Sequence, residues 1–364
     1  YDLWKVTPDG KTAVCLTKGL GKEANVQFRY INPVRNTINP ALREVGVSRT
    51  INGKSLLYMS VFDRTNKQNG YASVSAAKAG VKNWFIVPAS FLGTCKALNA
   101  DVIAFRKGDF CKPYDVYVTK DKWKTEFKYS SINPWKDDYL WGNARLVHWT
   151  AYDSTELSGI LYTPENLDEN GKYPMIVYFY EKMSQELYTY YNPAPSRSVI
   201  NFPFYVSRGY VVFIPDIVYM NGHPGESAYN CICSGTEEMC RQFPFIDEKK
   251  VGIQGQSWGG YQTAYLVTRT NMFAAAGAGA PVGNMTSAYG GIRWESGYVR
   301  SSQYEHGQSR IGKSLCDDGG LALYIENSPI FYSQYVTTPV LIMHNDNDGA
   351  VPWYQGIEFF LALR

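Results

Sequence analysis

The sequence has no run of about 20 apolar residues, so no segment reads as a membrane-spanning helix. Its most apolar stretch, 272–282, is short and rich in Ala and Gly. Charge of one sign is also lacking. Lys+Arg of 36 against Asp+Glu of 33 leaves a net charge of +3, too balanced to argue for nucleic acid or an anionic membrane as a partner. Seven cysteines in 364 residues are too sparse for a disulfide scaffold, and their odd number leaves one unpaired in a monomer. Cys231, Cys233 and Cys240 with His223 do not have the spacing of a zinc set, and no metal is expected. No Walker A and no G-x-G-x-x-G stands in strand–turn–helix context, so no cofactor is expected either. The first residue is Tyr1, with no basic n-region or apolar h-region after it. The chain opens directly on a strand-like pattern and reads as a piece cut from something longer.

What is present excludes wholesale disorder: 45% of residues are hydrophobic and 19% charged. At roughly 100–200 residues per domain, the length suggests two domains, or one large one with an appendage. The first part reads as β. Residues 1–6 and 11–17 flank the turn Thr7-Pro8-Asp9-Gly10, a hairpin signal. Residues 55–62, 102–106 and 114–119 are further strands, with turns expected at 66–70 and 107–109. No helical period shows there, and short strands at near-regular spacing suggest propeller blades or a sandwich. The pattern breaks over 130–141, which puts the boundary near 137 and gives domains 1–137 and 138–364. Two lead-in strands, 146–152 and 157–163, come first in the second domain. Near-continuous apolar strands follow at 175–180, 210–215, 251–254, 273–280 and 339–344, as in a mostly parallel sheet with helices on both faces. Residues 260–270 read as helix. So do residues 353–364, where Trp353, Ile357, Phe360 and Leu361 share one face. The fold class is α/β.

The strongest chemical signal is Gly255-Gln256-Ser257-Trp258-Gly259-Gly260. G-x-S-x-G is a nucleophile elbow when it follows a strand and opens a helix, as it does here. Its glycines are needed because a Cβ beside the tight turn would collide with the strand or the helix. The competing reading is a Gly-rich turn with a structural serine. A serine hydroxyl needs a base, and the base needs an orienting carboxylate. In α/β-hydrolases the chain order is Ser, acid, His. Asp346 and Asp348 both follow the 339–344 strand where an acid member would sit, and position alone does not choose between them. A loop turn or helix cap would equally use Asp.

Together, Gly255-Gln256-Ser257-Trp258-Gly259-Gly260-Tyr261, Lys172-Tyr173-Pro174 leading to Tyr180, and His344-Asn345-Asp346-Asn347-Asp348 with Val351-Pro352 resemble the prolyl oligopeptidase family of serine peptidases. Dipeptidyl and acylaminoacyl peptidases are relatives in it. The resemblance covers about 140–364 well and the first part weakly, as the last blades of a β-propeller. It implies an α/β-hydrolase domain preceded by a partial propeller and acting on short peptides, often after proline. By position it makes Ser257 the nucleophile and Asp348 the acid member. Tyr180 and the backbone N–H of Trp258 become the oxyanion donors, although Tyr180 would look the same as a strand-end aromatic. Tyr289 and Trp294 fall in the region of the substrate pocket. Glu181-Lys182-Met183 stands where the family often has Gly-Gly-Pro or Ala-Gly-Pro, His344-Asn345 where it usually has His-Gly, and 216–225 lacks its Arg-Gly-Ser-Gly pattern.

The family's histidine follows the acid member by some thirty residues. The four histidines, His148, His223, His306 and His344, all precede Asp348. We therefore expect the triad histidine beyond residue 364 and the polypeptide as written to be inactive. The expected partner is a short peptide substrate, with no nucleic acid and no membrane span. A homo-oligomer is compatible with the sequence. Aromatic richness leans weakly toward a periplasmic or secreted setting. A carboxylesterase or acyl esterase on the same fold, or a non-catalytic binding protein, are the alternatives.

Overall fold

The computed structural model describes residues 1–32, 51–97, 99–196 and 199–364. The chain divides into two compact units. One comprises 1–139 with 185–192, the other 140–184 with 193–364.

The first unit opens on the expected hairpin, Trp4–Val6 paired antiparallel with Ala13–Cys15. Two four-stranded antiparallel meanders follow. One runs Val26–Ile31, Leu56–Asp63, Asn69–Ser75 and Val81–Val87. The other runs Ser90–Lys96, Ile103–Asp109, Lys112–Thr119 and Phe127–Lys128. Sequential four-stranded meanders are the unit of propeller blades. Val26, Phe28, Met59, Val61, Ala72 and Val74 alternate inward to form the core of the first meander. The expected turns move. Asn69 and Gly70 already belong to a strand, and Lys107, Gly108 and Asp109 end one. The turn is instead Phe110-Cys111, closed by the Asp109 carboxylate accepting the Cys111 N–H at 2.9 Å. One helical turn, Leu20–Glu23, and a 3-10 stretch, Pro134–Asp138, interrupt a unit read as free of helix.

The second unit is built on seven strands: β1 (Asn143–Thr150), β2 (Glu156–Thr163), β3 (Tyr173–Tyr178), β4 (Val211–Pro215), β5 (Ile246–Gln256), β6 (Ala275–Gly279) and β7 (Val340–Met343). Their order is β1-β2-β4-β3-β5-β6-β7. β1, β2 and β4 pair antiparallel, and β4, β3, β5, β6 and β7 pair parallel. Every residue of β4 is buried, as an apolar run between covered faces requires. β7 departs from that pattern. Leu341 and Met343, on one of its faces, are exposed, so the last strand in the order is covered on one side only.

Helix α1 (Pro224–Gln242) packs across β1, β4 and β5, and α2 (Trp258–Arg269) packs on β5 and β6. Helix α3 (Tyr354–Ala362) corrects the sequence reading. Trp353, Ile357, Phe360 and Leu361 are exposed, and the buried face is Gln355, Gly356 and Phe359. The helix docks through polar and close contacts that periodicity does not register. Gln355 accepts the N–H of Asn284 at 2.9 Å, and a Cβ at Gly356 would lie 2.7 Å from Nδ1 of His344. In a parallel sheet the C-terminal strand ends share one edge, where functional groups gather. Here that edge collects the residues that follow β3, β4, β5, β6 and β7.

Candidate active site

Strand β5 ends at Gln256 and α2 begins at Trp258, so Ser257 alone makes the turn. Its backbone sits at φ 60° and ψ −110°. That conformation costs a non-glycine residue about 1–3 kcal/mol and persists only where its surroundings enforce it. They do so here. The Ser257 N–H donates to the Gly279 carbonyl at 2.8 Å, and its own carbonyl accepts the Tyr261 N–H at 3.0 Å. A Cβ at Gly255 would strike the backbone of Gly259, and one at Gly259 would lie 2.5 Å from the Phe179 carbonyl oxygen. The glycines are steric requirements of the turn. Ser257 itself is half-buried.

Ser257 lines a cavity of about 410 Å³ with Asp348, Asn345, Asn347, Met343, Ala280 and Glu295. The two residues that position left open are thereby separated. Asp348 lines this cavity, whereas Asp346 is exposed and does not. The Asp348 carboxylate is held by the N–H groups of Ala350 at 2.8 Å and Val351 at 2.9 Å. Its other oxygen lies 3.6 Å from Nε2 of His344. Arg300, 1% exposed, donates to the Ala350 carbonyl and so braces the same loop from behind.

His344 is packed under the loop, its Nε2 3.2 Å from the Val351 carbonyl oxygen. Burial holds its imidazole below the usual value of 6.5, against the opposing pull of the Val351 carbonyl and Asp348. His148 is exposed on β1. His223 pairs with Glu326 at 2.6 Å, and the His306 side chain is 80% exposed. None of the four lines the cavity of Ser257 and Asp348.

Trp258 is the first residue of α2, so its N–H has no carbonyl partner within the helix. Its indole N–H donates to the Tyr219 hydroxyl at 2.9 Å. The same hydroxyl donates to the Tyr180 carbonyl at 3.2 Å and accepts from Gln262. Tyr219 thus joins the residues on which the resemblance placed both oxyanion donors. Burial pushes its phenol well above the ordinary value, so it stays neutral and can serve as donor and acceptor together.

Tyr180 follows β3 and packs against the cluster of Trp258 and Tyr261. Its hydroxyl accepts from Nε2 of Gln308 at 3.0 Å. The departure at Glu181-Lys182-Met183 has a visible counterpart. Glu181 pairs with Arg310 at 2.6 Å, and its carbonyl accepts the Ile217 N–H at 3.0 Å. The buried Asp216 carboxylate takes the Ser184 N–H at 2.8 Å, so the loop after β3 is pinned to the end of β4. Of the two pocket residues, Tyr289 packs beside the Trp258 cluster, with its hydroxyl on Glu305 at 2.5 Å. That hydrogen bond raises its phenol above the ordinary value. Trp294 is 70% exposed, and neither residue lines the cavity of Ser257 and Asp348. Sequence reasoning missed Tyr219, Arg300, Gln308 and Arg310, for which no motif or spacing gave a signal. Cys231 and Cys233 lie buried on α1, and burial raises both thiols, Cys231 to about 11.

A strand–elbow–helix serine, a carboxylate beyond a later parallel strand and this sheet order define an α/β-hydrolase. Residues 195–364 match the model of the prolyl oligopeptidase family. The chain is 26% identical over 236 residues to an uncharacterized peptidase, YuxL, of Bacillus subtilis, covering 60% of this chain and 32% of that protein. It is 27% identical over 249 residues to the mouse acylamino-acid-releasing enzyme, 62% of this chain and 32% of the enzyme. It therefore spans about a third of the length of these relatives. Among solved structures, the acylaminoacyl peptidase of Pyrococcus horikoshii overlays 85% of this chain and 47% of its own at a TM-score of 0.64 and 20% identity. A Bacteroides ovatus protein assigned to the dipeptidyl aminopeptidase IV type overlays 100% of this chain and 48% of its own, with TM-score 0.68 and 17% identity. At such identities the overlays speak for the fold.

Proposed function

We propose that the protein is a serine peptidase that cleaves short peptides through an acyl-enzyme. Ser257 Oγ attacks the scissile carbonyl and gives its proton to an imidazole oriented by Asp348. That imidazole then protonates the leaving amine, and water repeats the sequence to release the acyl group. The Tyr180 hydroxyl and the Trp258 N–H stabilise the oxyanion, each contributing about 3 kcal/mol to the transition state. The observation that carries this reading is the Ser257 backbone at φ 60° and ψ −110°, in a cavity shared with the braced Asp348 carboxylate. That cavity, about 410 Å³, has more volume than an imidazole needs.

None of the four histidines lines that cavity, which supports the reading that the 364 residues alone do not turn over substrate. Absence of a triad histidine costs on the order of 10⁶ in kcat. Tyr289, beside the Trp258 cluster, is the better placed of the two pocket candidates. An esterase would use the same elbow, but the meanders of the first unit favour the peptidase, since propellers restrict access to small peptides. The test is labelling of the full-length protein with a fluorophosphonate, followed by peptide mapping. An adduct on Ser257 that Ser257→Ala abolishes supports the acyl-enzyme chemistry on which the peptidase reading rests. An unlabelled Ser257 refutes it.

A further inference from the structure

The hydroxyl of Tyr180 receives a hydrogen bond from a residue 128 positions away, the side-chain amide of Gln308 at 3.0 Å. A phenol has one proton and a lone pair that accepts. With an amide N–H aimed at its oxygen, Tyr180 cannot spend its own proton on Gln308, and that proton is free to point elsewhere. We propose that Gln308 is the positioning residue for the Tyr180 hydroxyl, its amide N–H occupying the phenol oxygen so that the O–H is kept for the oxyanion. This rests on Tyr180 being an oxyanion donor.

Gln308 is held in place from its own backbone. Arg310 Nη1 donates to the Gln308 carbonyl at 2.6 Å, while Nη2 of the same guanidinium pairs with Glu181 at 2.6 Å. Glu181 is the residue after Tyr180. One planar cation therefore fixes both the segment that gives the hydrogen bond and the segment that receives it. The guanidinium also lies 4.4 Å from the ring centre of Tyr219, whose hydroxyl holds the Tyr180 carbonyl. The Arg310 carbonyl accepts the Gly222 N–H at 2.7 Å, which ties the clamp to the loop after β4. Tyr180 is thus restrained at its carbonyl by Tyr219 and at its hydroxyl by Gln308, with Arg310 fixing the spacing. This gives the departure at Glu181 a role, because a glycine there could not hold the guanidinium.

The donor direction makes a test that a merely structural role would not pass. In the full-length protein, hydrolysis of p-nitrophenyl butyrate is compared for the parent, Gln308→Leu, Gln308→Glu, Tyr180→Phe and the double variant Tyr180→Phe/Gln308→Glu. Gln308→Leu removes the hydrogen bond and should lower kcat about 10-fold, within the loss expected for one neutral hydrogen bond. Gln308→Glu is isosteric, but its carboxylate takes the Tyr180 proton away from the oxyanion. It should lower kcat about 10²–10³-fold, the cost of removing an oxyanion donor. KM should stay within about 2-fold, as for a loss confined to the transition state. On the Tyr180→Phe background Gln308→Glu should cost little more, because the proton it captures is gone. Gln308→Glu no worse than Gln308→Leu, or an equal loss with and without the Tyr180 hydroxyl, overturns the proposal. A parent that hydrolyses the ester with an unlabelled Ser257 overturns the peptidase reading instead, and Gln308 falls with it.

Discussion

The carbonyl oxygen of Phe179, just past the end of β3, stands 2.5 Å from where a Cβ on Gly259 would sit. The first turn of α2 and the segment leading to Tyr180 are in contact there through bare backbone. Gly259→Ala must force them apart, at a cost of about 1–3 kcal/mol, as for other overpacked sites. Urea unfolding of the variant should show that loss as a lower midpoint at unchanged slope. Fluorophosphonate labelling of the full-length variant should slow in parallel, because the Trp258 N–H moves with the turn.

Replacing Ser257 itself should act in the opposite direction on stability. Glycine adopts φ 60° and ψ −110° without the strain a side chain brings, and the relief exceeds the entropy glycine adds to the unfolded chain. Ser257→Gly should therefore stabilise the second unit by about 1 kcal/mol while abolishing covalent labelling. Urea midpoints of parent and variant, measured side by side, check it. A loss of stability would mean that the turn is not strained.

Tyr219→Phe removes one hydroxyl and breaks three hydrogen bonds, to Trp258, Gln262 and the Tyr180 carbonyl. The site is buried and the partners lose their matches, so about 1–3 kcal/mol should be lost. Chemical denaturation measures it. In the full-length protein kcat should fall more than KM rises, since the hydroxyl spans the residues assigned to both oxyanion donors.

His344 sets a pH dependence whose sign follows from its burial. Its folded pKa lies below the usual 6.5 because charging the ring under the Asp348 loop is penalised. Between 6.5 and the lowered folded value, the unfolded chain binds a proton that the folded protein does not. The stability His344 contributes is therefore fully present above pH 6.5 and is lost as the pH falls from there toward the folded value. Urea unfolding of the second unit should show a decline over that window. His344→Gln should flatten it, and an unchanged profile would contradict the assignment.

The sequence showed the elbow because sterics leave no choice there: Gly255, Gly259 and Gly260 each face backbone that a Cβ would hit. It showed the parallel strands because a sheet covered on both faces needs unbroken apolar runs such as 211–215. Beyond a helix face at Glu237-Glu238 it did not show the extent of helix α1, whose buried face is Ala228, Cys231, Ser234, Gly235 and Thr236 with only Ile232 and Met239 as large apolar residues. At Gly235 a Cβ would sit 2.9 Å from the Trp149 ring, so close approach replaces the apolar stripe. The strand Asn69–Ser75, written NGYASVS, was hidden for a similar reason, since its Gly and Ser read as turn. Tyr219, Arg300, Gln308 and Arg310 act through pairs far apart in the chain, which no local spacing encodes. For α3 the apolar period was visible, but the face that packs is set by Gln355 and Gly356.

The most direct measurement is a fluorophosphonate reaction on two polypeptides in parallel, the full-length protein and residues 1–364, with the modified residue identified by mass spectrometry. We expect stoichiometric modification at Ser257 in the full-length protein and a rate lower by several orders of magnitude in the 364-residue chain, none of whose histidines lines the cavity of Ser257 and Asp348. Full reactivity of the shorter chain, or a full-length protein modified at some serine other than 257, would contradict the account.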